Sequence, residues 1–396
     1  MKKILKMFII ATTFALAITT LSACGQAVCA HDFEPVPEVS ATCTEDGVSA
    51  YNKCLKCGEE RGKKVLPANP DNHTWENLDE EGNRKCTSCP TSEVYTQAGL
   101  AAALQYNGEV TLMADIDVDA QISVPADVTV VLNMNDKSII GAATSETNHV
   151  YPLSNSGNLT INGGYISGRG IKNEATGIMT INDTTIFAQD FNGGACIWSY
   201  GGEVYINNGN FTGNTGVVSA QGYLEINGGT YTCKSGISDE GEIITSPTYN
   251  IRAYAGLKIT DGTFTSRHGV ISVGGGEAVI EKGSFTIEFT ATTTSNVLYI
   301  YGDTNLTVNG GDFISDNTKN KADSGTAILV SGSNASVTVN AGNYVGMNGM
   351  VSGNVVLYGG TFNTVWNYNH YDNLASKLAE GYTATQNADG SWTVSK

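Results

Sequence analysis

The sequence predicts an all-β chain wound as a right-handed parallel β-helix, a solenoid, and three observations lead there. A short phrase recurs: Leu159-Thr-Ile161-Asn-Gly-Gly-Tyr-Ile166, Leu224-Glu-Ile226-Asn-Gly-Gly-Thr-Tyr231, Leu306-Thr-Val308-Asn-Gly-Gly-Asp-Phe313 and Val355-Val-Leu357-Tyr-Gly-Gly-Thr-Phe362 are four of its copies. The key aliphatic positions (Ile161, Ile181, Ile206, Ile226, Ile259, Ile280, Val308, Val339, Leu357) are 18 to 33 residues apart, too close for four-stranded propeller blades. The composition agrees: 46 Gly, 8 Pro and 15% charged residues in 396 favour turn-rich β structure.

Each element follows in order. The chain starts with Lys2, Lys3 and Lys6, an apolar run from Met7 to Leu21, then Leu21-Ser22-Ala23-Cys24. Residues 1–23 read as a signal peptide, too short and wrongly flanked for a membrane span. Its ending resembles the lipobox of bacterial lipoproteins, which implies lipidation of Cys24 and a chain held extracytoplasmically on the bacterial membrane, exposed at the cell surface. The net charge of -17 argues against nucleic acid as a partner and against electrostatic docking on anionic membranes or polymers.

Residues 24–90 are expected to form a Cys/His-rich spacer. Six cysteines follow Cys24 here, including the knuckles Cys54-Leu-Lys-Cys57-Gly58 and Cys86-Thr-Ser-Cys89, with His31 and His73 nearby. Two thiolates at that spacing reach one tetrahedral ion, and imidazoles complete the shell. The stretch resembles small zinc-ribbon-like modules of secreted bacterial surface proteins, on His31, Ala41 to Gly47, Cys54 to Gly58 and His73 to Trp75. The ligand sets expected with zinc are His31, Cys43, Cys54 and Cys57, then His73, Cys86 and Cys89 with Cys29. A disulfide framework is the competing reading for an exported chain.

From 91 the solenoid is expected to run to 370. Thr91 to Tyr106 reads as a covering helix, stopped by Asn107-Gly108, and strands follow at Val110 to Ile116, Gln121 to Val124 and Val128 to Met134. This order resembles the first coil of pectate-lyase-like proteins. In the repeats the aliphatic pair two apart points inward, Asn-Gly makes a corner, and the aromatic starts the next side. Residues 371–396 are expected to close the far end, with a short helix from Tyr371 to Leu378 and a hairpin at Asp389-Gly390.

Catalytic motifs of enzymes with this fold find no match. Arg267-His268-Gly269 is a partial echo without partners, and no carboxylate pair is assigned. Cys196 and Cys233 read as buried thiols. Alternation instead places Trp198, Tyr200, Arg252, Tyr254, Tyr299 and Tyr301 outward in the strand before the Gly corner, where their rings suit sugar stacking. The expected function is therefore non-enzymatic: a monomeric, lipid-anchored surface protein binding a glycan or surface polymer, with no cofactor in the β-helix. The rivals are a polysaccharide lyase or glycoside hydrolase working from the inserts at 237–249, 286–296 and 316–325, and a purely structural stalk.

Overall fold

The computed structural model describes residues 29–145, 148–189, 194–234, 249–288, 295–316, 325–346, 351–364 and 374–396. Cys24 and the leader lie outside them, as do most of the three inserts. Contacts divide the chain into two units, one ending at Asn72 and one beginning at His73.

The first unit is small. Phe33–Val36, Tyr51–Cys54 and Glu60–Arg61 form an antiparallel sheet, and Gly47–Val48 pairs with Val65–Leu66. Cys54 is its one buried apolar side chain among the described residues. So little core cannot offset the entropy of ordering this chain, and a cross-link or ion must contribute.

The second unit opens with a hairpin, Trp75–Asn77 against Arg84–Cys86. It continues into Thr91–Val94, which pairs in parallel with Gly108–Leu112. Here the structure corrects the expected helix. Residues 91–94 are strand, because the first turn of the solenoid takes up their backbone groups. The helix α1 spans Gln97–Ala103, capped by Thr96, whose side chain accepts from the Gly99 N–H at 3.1 Å. Its Leu100, with Leu104 just beyond, is buried against the core at the end of the stack.

Each full turn then contributes three strands, except that Gly269–Ile280 and Ser295–Val308 each run unbroken through the first and second walls. In one turn these are Ile197–Ser199 on a first wall, Glu203–Ile206 on a second and Gly209–Gly213 on a third. The next turn repeats them in parallel register as Val218–Ala220, Leu224–Ile226 and Thr230–Cys233. Val204, Ile206, Leu224 and Ile226 are fully buried, as alternation along a half-buried strand requires. The corners between the first and second walls, and between the second and third, never exceed four residues.

The recurring Gly-x-aromatic has a definite cause. Phe211, Tyr231, Phe264, Phe285, Phe313, Tyr344 and Phe362 form one buried ladder. Successive ring centroids are 4.6 to 4.9 Å apart and planes 3 to 10° apart. The glycine two residues earlier takes positive φ, as Gly262 does at +141°, and a Cβ there would stand 2.9 Å from the Phe264 ring. Only glycine meets both demands.

The Asn of the phrase builds a second ladder. Side-chain amides donate from Asn162 to Asn133, Asn182 to Asn162, Asn207 to Asn182 and Asn227 to Asn207, at 2.7 to 3.0 Å. The far end closes with a single 3₁₀ turn, Leu374–Lys377, where a longer helix from Tyr371 was expected; 371–373 lie outside the described residues. Trp392–Ser395 then pairs antiparallel with both Gly360–Phe362 and Thr383–Gln386, which ends the parallel stacking.

Candidate metal centres and an aromatic wall

The register Phe33↔Cys54 carries the segment before Phe33 past the first knuckle. Cys29, His31, Cys54 and Cys57 are thereby gathered, with one ligand atom from each lying within 4.8 Å of all the others. This corrects the expected set. Cys29 belongs to it, whereas Cys43 sits outside it in a turn whose Thr44 and Glu45 N–H groups donate to Thr42 Oγ1.

His31 is oriented from both sides of its ring. Its Nε2 lies 3.1 Å from Glu59 Oε2 and its Nδ1 3.4 Å from Cys57 Sγ. A carboxylate accepting from Nε2–H leaves the Nδ1 lone pair for a cation. The Nδ1–Sγ separation suits a tetrahedron, whose edges are about 3.3–3.8 Å for metal bonds of about 2.0–2.3 Å. Burial opposes ionisation of Cys54, but hydrogen bonds from the Asp32, Cys57 and Lys56 backbone and from His31 outweigh it and lower its pKa to about 6. Cys29 is pushed the other way, to about 11, by its hydrogen bond with Cys57, by burial and by Cys54. Crowded thiols resist ionising together unless a cation offsets their charge.

The second knuckle repeats this construction within the second unit. His73 Nδ1 is 3.3 Å from Cys89 Sγ, and Cys86 is buried. Burial again opposes ionisation, and bonds from the Ser88 backbone, His73 and Cys89 outweigh it, lowering Cys86 to about 6. The parallels extend further. His31 stacks on Phe33 at 5.2 Å and His73 packs on Trp75 at 4.8 Å; Arg61 lies over Phe33 and Arg84 over Trp75. Phe33 pairs with Cys54 as Trp75 pairs with Cys86. Both groups have the donor set of a metal site, and no disulfide joins any of the eight described cysteines.

Of the expected sugar-facing residues, Trp198, Arg252, Tyr299 and Tyr301 lie in strands of the first wall, and Tyr200 and Tyr254 open the corner that follows it. Ile251 and Ala253 are buried while Tyr254 is 41% and Tyr200 40% exposed; Trp198, Arg252, Tyr299 and Tyr301 are half-buried. Parallel register aligns Lys172, Trp198, Ser219, Arg252, Ser272 and Tyr299 in one row, one residue per turn. The residues form two patches. In the first, Trp198 and Tyr200 are 6.1 Å apart, and Lys172 Nζ sits 4.5 Å from the Tyr151 ring and 6.0 Å from that of Tyr200. In the second, Tyr299 stacks on Tyr301 at 5.2 Å and on Tyr249 at 5.9 Å.

Glycines seat the second patch. A Cβ at Gly269 would fall 2.3 Å from the Tyr249 ring, and one at Gly274 would fall 2.6 Å from that of Tyr301. Burial pushes the Tyr249 hydroxyl up to about 12 and raises that of Tyr301, aided there by Tyr254. Sequence reasoning missed Tyr249, Tyr151 and Lys172. The Gly269-to-Tyr249 pairing was the available signal, but it requires the register between two neighbouring turns.

Other singled-out residues fall elsewhere. His268 is buried, and burial with the Arg267 charge lowers its pKa. Cys196 and Cys233 are buried, Cys196 pushed up to about 12 by burial. On the second wall Glu203 and Glu225 accept from Tyr205 at 2.7 Å and Tyr223 at 3.1 Å, and Glu225 also from Lys258 at 3.0 Å. No family model matches the chain, and neither does any curated protein or solved structure.

Proposed function

We propose that this chain is a lipid-anchored, cell-surface glycan-binding protein whose β-helix presents the first wall as a sugar-stacking surface. The observation that carries the reading is the row through Trp198, Arg252 and Tyr299, flanked by Tyr200, Tyr254 and Tyr301. Aromatic faces standing on a rigid parallel sheet are preorganised, so little rotamer entropy is lost when a sugar ring settles on them. The Cys/His groups are zinc sites in this reading, and the one at Cys29, His31, Cys54 and Cys57 supplies the folding energy that the small first unit lacks. Lipidation of Cys24 would hold the assembly at the membrane.

The test is glycan-array binding of the chain from Gly25 onward, against the same chain carrying Trp198→Ala and Tyr299→Ala. Loss of two central aromatic contacts is expected to weaken binding by at least about 2 kcal/mol, more than twentyfold. Unchanged binding by the double variant would sink the proposal. New reducing ends or unsaturated uronides in the incubation would replace it with an enzymatic reading.

A further inference from the structure

The second Cys/His group stands where the solenoid needs a lid. A parallel wall ends in a strand with unpaired N–H and C=O groups, open to pairing with any other strand. At the N-terminal end of the second wall that strand is Thr91–Val94, which pairs on one side with Gly108–Leu112. Its other side is covered antiparallel by Arg84–Cys86, with Trp75–Asn77 outermost. Each covering strand has only 3 residues, and a two-stranded hairpin is marginal in water at best.

Packing adds little. Cys86 is the one buried apolar side chain between His73 and Pro90 among the described residues. A cleft of about 430 Å³, lined by Leu78, Cys86, Cys89, Ala102, Tyr106 and Val110, lies between the hairpin and α1. The hairpin is held at points instead. At its turn the fully buried Asn83 donates to Thr96 Oγ1 at 2.8 Å and accepts from the Tyr95 N–H at 2.7 Å, which ties the turn to the cap of α1. In the middle, the Arg84 guanidinium lies 4.7 Å from the Trp75 ring and pairs with Glu93, a partly exposed pair of modest worth.

The open end of the hairpin carries the Cys/His group. His73 precedes the outer strand, Cys86 closes the inner one, and Cys89 lies on the link into Thr91–Val94. One ligand atom from each lies within 4.8 Å of the others, and Cys89 Sγ is 3.3 Å from Thr91 Oγ1. An ion there fastens all three segments at one point.

We infer that this centre is a metal clasp on the N-terminal lid of the solenoid: zinc bound by His73, Cys86 and Cys89 keeps the hairpin closed over Thr91–Val94, and its removal opens that edge while the turns beyond stay folded. This rests on the zinc reading of the Cys/His groups and gives the second group a task separate from that of the first. An ion bound only by the closed form stabilises that form, and in a stack of turns the effect stays with the segments it touches.

Hydrogen exchange read by mass spectrometry tests the clasp, on the chain from Gly25 onward, zinc-loaded and after chelation. Exchange in 84–94 is expected to accelerate at least about tenfold on chelation, with exchange in 203–213 unchanged. Cys86→Ser with Cys89→Ser, kept in zinc, should show the same local acceleration and one equivalent less zinc by elemental analysis. Zinc fully retained by that variant, or unchanged exchange in 84–94 once bound zinc has been stripped, overturns the clasp and leaves the zinc reading of the first group intact. Acceleration in 203–213 as large as that in 84–94 also overturns it, since the metal would then support the whole stack. A wild-type chain without zinc overturns the zinc reading and the clasp together.

Discussion

The buried ring ladder makes a prediction that separates stacking from simple burial. Phe285 lies between Phe264 at 4.8 Å and Phe313 at 4.7 Å, with planes within 8° and 4°, and is fully buried. Phe285→Ala removes the ring and leaves a cavity, at a cost of about 3–5 kcal/mol for such a site. Phe285→Leu keeps most of the apolar volume and loses only the two ring contacts. Aromatic pairs are worth about 0.5–1.5 kcal/mol each beyond burial, so Leu should cost about 1–3 kcal/mol, between wild type and Ala. Each turn touches chiefly its neighbours, so the loss is local but is read in the whole transition if the stack unfolds cooperatively. Urea unfolding followed by tyrosine fluorescence, with the slope checked for constancy, measures both variants. Should Phe285→Leu prove as stable as wild type within about 0.5 kcal/mol while Phe285→Ala falls as expected, the stacks contribute nothing beyond burial.

Two further outcomes follow from the same geometry. Gly262→Ala combines strain at φ +141° with a Cβ 2.9 Å from the Phe264 ring, and should cost about 1–3 kcal/mol or more. Gly381→Ala has φ +81° and nothing within 4 Å, so it should lose only the strain, about 1–2 kcal/mol; equal losses in urea would remove the ring clash from the account. For the first candidate metal centre, the zinc proposal expects Cys57→Ser to lower bound zinc by one equivalent by elemental analysis of the purified chain. The pH dependence has a definite sign. Cys54 is lowered from 9.0 to about 6 in the folded chain, so its contribution is fully present above about 9 and is lost as pH falls through about 6. Zinc competes with protons for that thiolate, so its release on acidification should centre below about 6, and release already complete at neutral pH would refute it.

Much of the solenoid was legible because each repeat carries its own geometry. Alternation identifies Val204 and Ile206 as core and Tyr205 as surface without knowledge of any partner strand, and Gly-x-Phe marks a positive φ beneath a ring. Features set by long-range register were not legible. Cys29 and Cys43 are equally plausible ligands in sequence; the pairing of Phe33 with Cys54, across a long loop, chooses Cys29. Thr91–Val94 sits before a helix and has no strand signature of its own. It becomes strand because Gly108–Leu112 offers it a partner. Tyr249 and Lys172 entered the aromatic wall only once turns of unequal length were aligned. The knuckles were recognisable from spacing alone, yet Glu59, which fixes the His31 ring, is ordinary in sequence.

The corners described above have a consequence for how such a chain can change. Two of the three junctions in every turn are clamped at a few residues, whereas the junction from third wall to first is as short as 267–268 and as long as 234–248. Lengthening a closed loop is entropically cheap, since each doubling costs only about 0.6 kcal/mol. The ring and amide ladders meanwhile keep the turns in step across the interruption. All the variation is thus delivered to one edge, the edge that borders the wall bearing Trp198 and Tyr299. Insertions there can rebuild the rim of a recognition surface while the walls beneath keep their register, so selectivity and stability can be altered independently.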